Sequence, residues 1–420
     1  MKDLMNPIKA ELLAPAGDME SLRTALKYGA DAIYCGGPFM QLRAASAGFT
    51  MESLAEAAGL VHGAGAASET AVSAAGGRKL YVTVNSFAWS DEISKLGPYA
   101  RQLHDIGVDA LIVSDLGAVA EIKEKCPDIA VHVSTQANCM NYRAAEVYYN
   151  MGASRVVLAR ELSIEKIKEL RALAPAGLEL EAFVHGAMCM AYSGRCLISS
   201  FLTGRSGNRG QCTQSCRWDY YLMEQKRPGE YFPLEEGPQG TAILSSKEMC
   251  MIDHLRELAD AGAVSFKCEG RMRTPFYIGT VANAYRMALD GFPDTAALRA
   301  ELETISHRPY CTGFYLGDSE SIATGGSDYI RNYIFVATAL EASSGGKLRI
   351  ETRNPFSVGD ELEVLTPGST GRAFRLESIV DAEGTAIDRS PTPMRVMTIN
   401  APDGIQPGDI IRRKGDCRCS

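Results

Sequence analysis

The sequence predicts an α/β fold, a TIM-like (β/α)8 barrel followed by a small antiparallel β-barrel. In the first part of the chain, short apolar runs alternate with helical patterns, and several later intervals are ~25 residues, a usual barrel unit. After residue 328 the pattern changes to short alternating runs separated by Gly, Pro, Asn and Asp turns. An open doubly wound sheet would show the same alternation, but its first strand normally leads into a glycine-rich dinucleotide turn, and PAGDMES is not that turn.

Eight strand-like runs support the barrel. Helical stretches such as MESLRTALKYGA and SIEKIKELRALA lie between them, end near Gly or Ala, and lead into the next strand after a short turn. This repeat of strand and helix indicates parallel strands that close into a barrel. The runs lie at 11–15, 32–35, 79–84, 109–113, 130–134, 155–159, 179–184 and 264–268.

The chain divides into two predicted domains. We expect the barrel to cover residues 1–305, with a cysteine-rich insertion at about 185–250 near its C-terminal face. Residues 306–327 lack periodicity and are rich in turn formers, which indicates a connector. Residues 328–420 carry the short alternating runs of the C-terminal β-barrel domain.

The composition is that of an ordinary soluble enzyme. The chain has 420 residues, of which 46% are hydrophobic and 22% charged, and no window offers ~20 uninterrupted apolar residues, so no membrane partner is expected. Twelve cysteines without an apolar signal segment after MKDLMNPIKA favour free thiols in a reducing cytoplasm over disulfides.

The net charge of −8 argues against a globally basic nucleic-acid binder. It leaves room for a local patch, because phosphate contacts need only a few clustered Lys and Arg side chains. Candidate residues for such a patch, with aromatic side chains for base stacking, are Arg195, Arg205, Arg209, Arg217, Trp218, Tyr220 and Tyr221.

A cysteine-rich stretch is the strongest chemical signal. EAFVHGAMCMAYSGRCLISSFLTGRSGNRGQCTQSC, at 181–216, places Cys189, Cys196, Cys212 and Cys216 among glycines and small residues. Four thiolates at one centre need a metal ion or an iron–sulfur cluster to neutralise them. Structural zinc sites usually present Cys pairs two to four residues apart, and the chain has no C-x-x-C, which favours a cluster. Zinc stays open, as do separate buried cysteines, because both fit the residue types.

The polar ends of the predicted strands indicate where chemistry occurs. Active sites of barrels of this kind form at the C-terminal ends of the strands. Arg160 with Glu161 follows the sixth run, His185 ends the seventh, and Arg271 follows the eighth. The cysteine-rich insertion begins directly after the seventh run. We therefore expect Cys189 and Cys196 to overhang the same face.

The segment from 181 to 199 carries a family resemblance. It matches every element of the signature of peptidase family U32, and further segments such as ELLAPAGD, YVTVNSFA and SFKCEGRMRTPFYIGTVANAYRMALD resemble the same family, so the resemblance covers essentially the whole chain. Within the family, the sequence is most similar to members from Gram-positive bacteria that hydroxylate tRNA. The matched signature reads Glu181-x-Phe183-x-x-Gly186-Ala187-Met188-Cys189-x4-Gly194-x-Cys196-x-Ile198-Ser199.

The resemblance implies an activity and a cofactor. It implies conversion of the wobble uridine of tRNA to 5-hydroxyuridine without molecular oxygen, with prephenate, a dicarboxylate, as the source of the hydroxyl group. It also implies a [4Fe–4S] cluster on Cys189, Cys196, Cys212 and a fourth cysteine. Cys250 in SSKEMCMIDHLREL is the favoured fourth ligand, on the expected first turn of a helix, and Cys216 is the alternative.

Other candidate residues follow from this substrate class. Dicarboxylates are bound by arginines, and Arg160, Arg271 and Arg273 are the candidates. His185 and Glu161 are the candidate catalytic residues, although a structural role for His185 is equally consistent with the sequence. The partners expected are tRNA, a small dicarboxylate and a homologous U32 chain, because related hydroxylases can require a paired homologue.

Two alternatives stay open. The family label implies a collagenase-like peptidase, but the chain has neither HExxH nor G-x-S-x-G, and a thiol bound to a cluster cannot also attack an amide. A non-catalytic RNA-binding factor stabilised by the cluster is the other alternative.

Overall fold

Eight parallel strands and their helices form the N-terminal part of the molecule. The computed structural model describes residues 6–42, 48–65, 77–189, 203–205, 211–215, 246–317, 329–390 and 392–415. Its first nine strands are β1 (Glu11–Pro15), β2 (Ala32–Gly36), β3 (Lys79–Val84), β4 (Ala110–Val113), β5 (Ala130–Val133), β6 (Arg155–Val157), β7 (Glu179–Ala187), β8 (Glu248–Cys250) and β9 (Ser265–Cys268). The helices are α1 (Met19–Lys27), α2 (Met51–Gly63), α3 (Ser90–Asp105), α4 (Leu116–Lys125), α5 (Tyr142–Asn150), α6 (Ile164–Leu173), α7 (Leu255–Asp260), α8 (Pro275–Leu289) and α9 (Thr295–Leu302).

The strands close into a barrel, as predicted. Strands β1 to β7 pair in sequence order, and β9 pairs in parallel with both β1 and β7. Ser265 lies opposite Glu11 on one side and Glu181 on the other, which completes the ring. Strand β8 lies outside this ring, so β9 is the eighth barrel strand.

The helices begin close to the C-terminal ends of the strands. The Asp18 carboxylate accepts a hydrogen bond of 2.7 Å from the backbone N–H of Ser21 and so caps α1. Asp115 caps α4 in the same way, with 3.0 Å to the N–H of Ala118. These two strand-end aspartates are therefore helix caps.

The barrel interior contains a buried network of charged groups. Arg155 on β6 contacts Glu11, Glu179 and Glu181, and its side chain is only 5% exposed. Glu181, which is fully buried, also binds the ammonium of Lys267 at 3.0 Å. Each carboxylate of the network is therefore paired with a cation, which offsets the cost of burying the charges.

Two short strands extend the sheet beyond the barrel. Strand β8 runs antiparallel to the end of β7, with Cys250 opposite His185, and β10 (Tyr310–Cys311) pairs with β8. The expected helical turn at Cys250 is wrong, because Cys250 ends a strand and α7 begins only at Leu255. Strand β7 has nine residues and projects past the barrel, so its free edge supplies hydrogen-bond partners for the β8 backbone.

The C-terminal region is an antiparallel sheet of eight strands. They are β11 (Tyr333–Ala339), β12 (Lys347–Thr352), β13 (Glu361–Leu365), β14 (Arg372–Arg375), β15 (Ile379–Val380), β16 (Ala386–Ile387), β17 (Val396–Asn400) and β18 (Ile410–Lys414). Their order is β14-β13-β18-β11-β12-β17-β15-β16. The sheet curls until the N–H of Val358, before β13, donates to the carbonyl of Asp388, after β16. This confirms the predicted antiparallel domain.

The sheet packs on α1, α8 and α9 of the barrel. The Tyr28 hydroxyl donates to the carbonyl of Leu365 (2.7 Å) and accepts from the N–H of Ile410 (3.1 Å). Arg412, 1% exposed, forms a bidentate pair with Glu301 of α9 and also binds Glu363. Buried polar contacts therefore fix the two parts together.

In the described part of the chain, no helix is both long enough and apolar enough to cross a bilayer.

The Arg412 contacts generate a stability prediction. Arg412→Ala leaves Glu301 without its buried cation, and we expect the free energy of unfolding to fall by about 3–5 kcal/mol. Urea denaturation measures this change. Arg349→Ala is the matched control, because the Arg349–Glu341 pair is exposed on both sides and should contribute less than about 1 kcal/mol. Equal effects of the two substitutions would contradict the prediction.

Glu11 generates a pH prediction. Burial alone would raise the pKa of Glu11, but Arg155, Tyr81 and Ser265 together hold it below the ordinary 4.5. The stability that Glu11 contributes is therefore present above pH 4.5 and lost as the pH falls through the lowered pKa. We expect Glu11→Gln to cost about 1–3 kcal/mol at pH 7.

Urea denaturation of both proteins from pH 7 down to acid tests this. The stability difference between wild type and Glu11→Gln should shrink as the pH falls. A difference that stays constant over this range would show that the Glu11 charge makes no contribution.

Candidate active site at the barrel mouth

Arg271 lies at the C-terminal end of the barrel, which we call the barrel mouth. It follows β9 and is 7% exposed, and its guanidinium donates to the Thr83 hydroxyl (3.0 Å) and to the Gln41 side-chain oxygen (3.4 Å). Gly36 makes room for this arrangement, because a Cβ there would lie 2.7 Å from the Arg271 guanidinium. A larger residue at position 36 would therefore displace the Arg271 or Gln41 side chain.

Arg160 lies at the same mouth. Its guanidinium stacks over the Phe183 ring, 3.8 Å from the ring centre, and donates to the carbonyl of Ala187 at 2.7 Å. Burial and the Glu269 carboxylate raise the pKa of Tyr34 well above its usual value, while Arg271 and Arg160 both act in the opposite direction. Both guanidinium groups therefore lie within electrostatic reach of Tyr34. Two of the three arginines predicted to bind substrate are brought together.

Arg273 does not join them. It pairs with Glu248 on β8, lies 4.7 Å from the Tyr277 ring centre, and donates to the carbonyl of Ser306. These partners belong to a cluster outside the barrel, between β8 and α8. The structure therefore places Arg273 apart from the barrel mouth.

His185 is also outside the barrel. A bulge between Phe183 and His185 shifts the pairing of β7 with β9, so that Phe183 lies opposite Lys267 and His185 lies opposite Cys268. The Phe183 side chain therefore faces the interior, whereas the 1% exposed His185 packs against Tyr277 and other aromatic rings.

The surroundings of His185 keep it neutral. Its Nδ1 lies 3.3 Å from the Tyr285 hydroxyl, and its ring is 5.5 Å from that of Tyr310. Burial, with smaller effects from His307, Arg273 and Arg299, lowers its pKa to about 3. This placement favours the structural interpretation of His185. Glu161, by contrast, is half-buried beside Arg160 in the loop after β6.

The candidate cysteines differ in exposure. Cys189 and Cys212 are exposed, whereas Cys250 is buried, and its sulfur lies 3.9 Å from the Tyr285 hydroxyl. Cys196 and Cys216 lie outside the described residues. Burial raises the pKa of Cys250. Because Cys250 ends β8 and α7 begins only at Leu255, the thiol does not lie at a helix N-terminus.

The spacing of these cysteines bears on a metal cluster. The Ser246 hydroxyl donates to the carbonyl of Met188, so the segment just before β8 lies beside Cys189. Cys250 is the last residue of β8 and lies opposite His185. Among the described residues, no three Cys, His, Asp or Glu side chains form a metal site. Thiols such as those of Cys189 and Cys212 are the donor type that an iron–sulfur cluster uses.

Of the basic and aromatic patch residues, only Arg205 is described, and it is exposed. The other predicted members lie outside the described residues: Arg195, Arg209, Arg217, Trp218, Tyr220 and Tyr221.

Sequence reasoning missed the interior residues below the mouth. Lys267 lies 4.3 Å from the Tyr34 ring centre and binds Glu181. Lysine is almost never fully buried unless paired, so a lysine inside the apolar run VSFKC was a usable signal. Glu181 and Phe183 were identified as residues of the signature, but no role was predicted for them.

Two family models match the chain. The model for peptidase family U32 matches residues 17–325, and the model for the U32 C-terminal domain matches residues 331–412. Together they span both parts of the fold.

Three relatives match nearly the whole chain. It is 35% identical to tRNA hydroxylation protein P of Escherichia coli, covering 91% of this chain and 92% of that protein. It is 33% identical to tRNA hydroxylation protein P1 of Bacillus subtilis, covering 96% and 95%. It is 31% identical to a collagenase of Porphyromonas gingivalis, covering 97% and 99%. These matches, with the barrel and its C-terminal sheet, show that the chain belongs to peptidase family U32.

Proposed function

We propose that this protein hydroxylates the wobble uridine of tRNA to 5-hydroxyuridine, with prephenate as the source of the hydroxyl group and a [4Fe–4S] cluster as cofactor. The observation that carries the proposal is the likeness to two tRNA hydroxylation proteins, at 33% and 35% identity over more than 90% of the chain. The proposed partners are tRNA and, by analogy with paired relatives, a homologous U32 chain.

The arginines at the barrel mouth are suited to binding an anionic co-substrate. Arg160 and Arg271 present two guanidinium groups at the end of the barrel where enzymes of this fold act. Guanidinium groups bind carboxylates by paired, charge-assisted hydrogen bonds, which are strongest where water is excluded. We assign prephenate to these two arginines, and Glu161 beside Arg160 remains a candidate catalytic residue. We do not assign prephenate to Arg273, which pairs with Glu248 outside the barrel.

For the cluster, we propose Cys189, Cys196, Cys212 and Cys250 as ligands, with Cys216 as the alternative to Cys250. The exposure of Cys189 and Cys212 supports their inclusion in this set. When bound, the cluster would supply the redox chemistry that the side chains of the mouth lack. The chain's own groups would bind and orient the anion and exclude water.

Proteolysis is the competing function, because one relative is named a collagenase. A cysteine peptidase needs a thiol within hydrogen-bond reach of a basic imidazole. The contacts of His185 are tyrosine rings and the Tyr285 hydroxyl, and its pKa of about 3 makes it a weak base. The geometry around His185 therefore does not favour a Cys/His pair with Cys189.

Nucleoside analysis tests the hydroxylation. In a strain lacking the gene, we expect 5-hydroxyuridine to disappear from digested tRNA and to return with the wild-type chain. Arg271→Met should restore at most about a tenth of the wild-type level, because a charge-assisted hydrogen bond contributes about 1.5–3 kcal/mol. Arg349→Ala, on the exposed sheet surface, is the control and should restore it fully. An unchanged 5-hydroxyuridine content in the deletion strain would refute the proposal.

Iron and sulfide content tests the cofactor. The anaerobically purified protein should contain about four iron and four sulfide per chain. Cys189→Ala, Cys196→Ala and Cys212→Ala should each lower this content sharply. Cys250→Ala and Cys216→Ala identify the fourth ligand, because only one of them should lose the cluster.

Cys268→Ala is the matched control, because Cys268 is a buried thiol close to Cys250 that is not a proposed ligand. It should retain the cluster. A colourless wild-type protein, or one that cleaves gelatin without iron, would favour the peptidase instead.

A further inference from the structure

The proposed function leaves one buried cation at the mouth without a role. We propose that Lys267 is the innermost anion-binding residue of the site, with its ammonium binding one carboxylate of a small dicarboxylate while Arg160 and Arg271 hold the other. This inference rests on the proposed function, since it names a further residue of the same site. Lys267 belongs to β9, directly before Cys268 and four residues before Arg271.

The contacts of Lys267 leave hydrogen-bonding capacity unused. Its ammonium lies 3.0 Å from the Glu181 carboxylate, 4.3 Å from the Tyr34 ring centre and 5.6 Å from the Phe183 ring centre. An ammonium has three N–H donors. In the described part of the chain, Glu181 is the only group that accepts a hydrogen bond from it. Two donors are therefore available to a ligand, beside rings that tolerate a cation.

Glu181 has hydrogen-bond donors besides the lysine. The second Glu181 oxygen binds the Arg155 guanidinium at 3.1 Å and the Ser265 hydroxyl at 3.2 Å. Lys267, 4% exposed, and Arg155 together balance the buried Glu11 and Glu181 carboxylates, so what Lys267 has to spare is its two N–H donors. Burial lowers the pKa of Lys267, with Glu181 acting in the opposite direction. A ligand carboxylate would offset this desolvation cost, which Glu181, shared with Arg155, offsets only in part.

The position of Lys267 matches a ligand with two negative groups. Arg160 lies 3.8 Å and Lys267 5.6 Å from the centre of the same Phe183 ring, so their charges are at most about 9 Å apart. Arg271 is close enough to disfavour the charged form of Lys267. All three cations lie toward the C-terminal end of the barrel, with Lys267 deepest because it lies within β9 whereas Arg271 follows the strand. A small dicarboxylate can contact both Lys267 and the two arginines, whereas a monocarboxylate can contact only one of these two groups.

Binding of two anions tests the inference. Calorimetry on the anaerobically purified full chain would use prephenate and phenylpyruvate, which lacks the ring carboxylate. Lys267→Met should weaken prephenate binding by about 10- to 100-fold, as expected for the loss of a charge-assisted hydrogen bond. It should weaken phenylpyruvate binding much less or not at all, if that anion uses the arginines. The preference of the wild type for prephenate over phenylpyruvate should therefore be lost in Lys267→Met.

Ser265→Ala is the matched control, because it removes another hydrogen bond to the same Glu181 carboxylate and leaves the ammonium in place. It should bind prephenate as the wild type does. If Lys267→Met fails to fold, the double variant Glu181→Gln with Lys267→Met removes both charges of the buried pair. The same loss of prephenate binding is expected for it. Lys267→Arg should keep part of the preference.

Wild-type-like prephenate affinity in Lys267→Met would overturn the role of Lys267, as would a wild-type protein that binds neither anion. The nucleoside assay then decides the proposed function separately. Continued formation of 5-hydroxyuridine would leave that function standing without Lys267. Its absence from the wild-type reaction would refute the function itself.

Discussion

The pairing of β7 with β9 determines both the closure of the barrel and the composition of its mouth. It closes the barrel, and the bulge between Phe183 and His185 decides which side chains enter it. Before the bulge, Glu181 and Phe183 face the interior and contact cations. After it, His185 faces α8 and the aromatic cluster. One extra residue in a ladder therefore separates the residues of the mouth from those of the outer packing, a known use of bulges beside active sites.

Strand positions could be predicted from sequence because burial on both faces of a parallel barrel produces continuous apolar runs. The run 179–184 and the run 264–268 correspond to the two strands that close the ring. The C-terminal run FRLESIVD, in contrast, is divided between β14 and β15, with no strand between Arg375 and Ile379. The alternation of apolar and polar residues predicts which side chains are buried. It does not predict where backbone pairing in a curled sheet is interrupted.

The side-chain placements at the site were less predictable. That Arg160 and Arg271 lie at the same end of the barrel follows from strand order, because the ends of parallel strands in a barrel share one face. Arg273, two residues later, has already turned toward Glu248. Cys250 was expected on a helix, but the projecting edge of β7 pairs with its segment. Such outcomes depend on long-range partners, and a single sequence carries no signal of them.

The charges inside the barrel suggest why the site has two levels. Glu11 and Arg155 fill the lower part and are satisfied by each other and by their neighbours, so they need no ligand. Lys267 sits between that network and the mouth, and shares its only described carboxylate with Arg155. If an anion binds there, it lies below the guanidinium groups of the rim, and a uridine entering through the same opening would cover it.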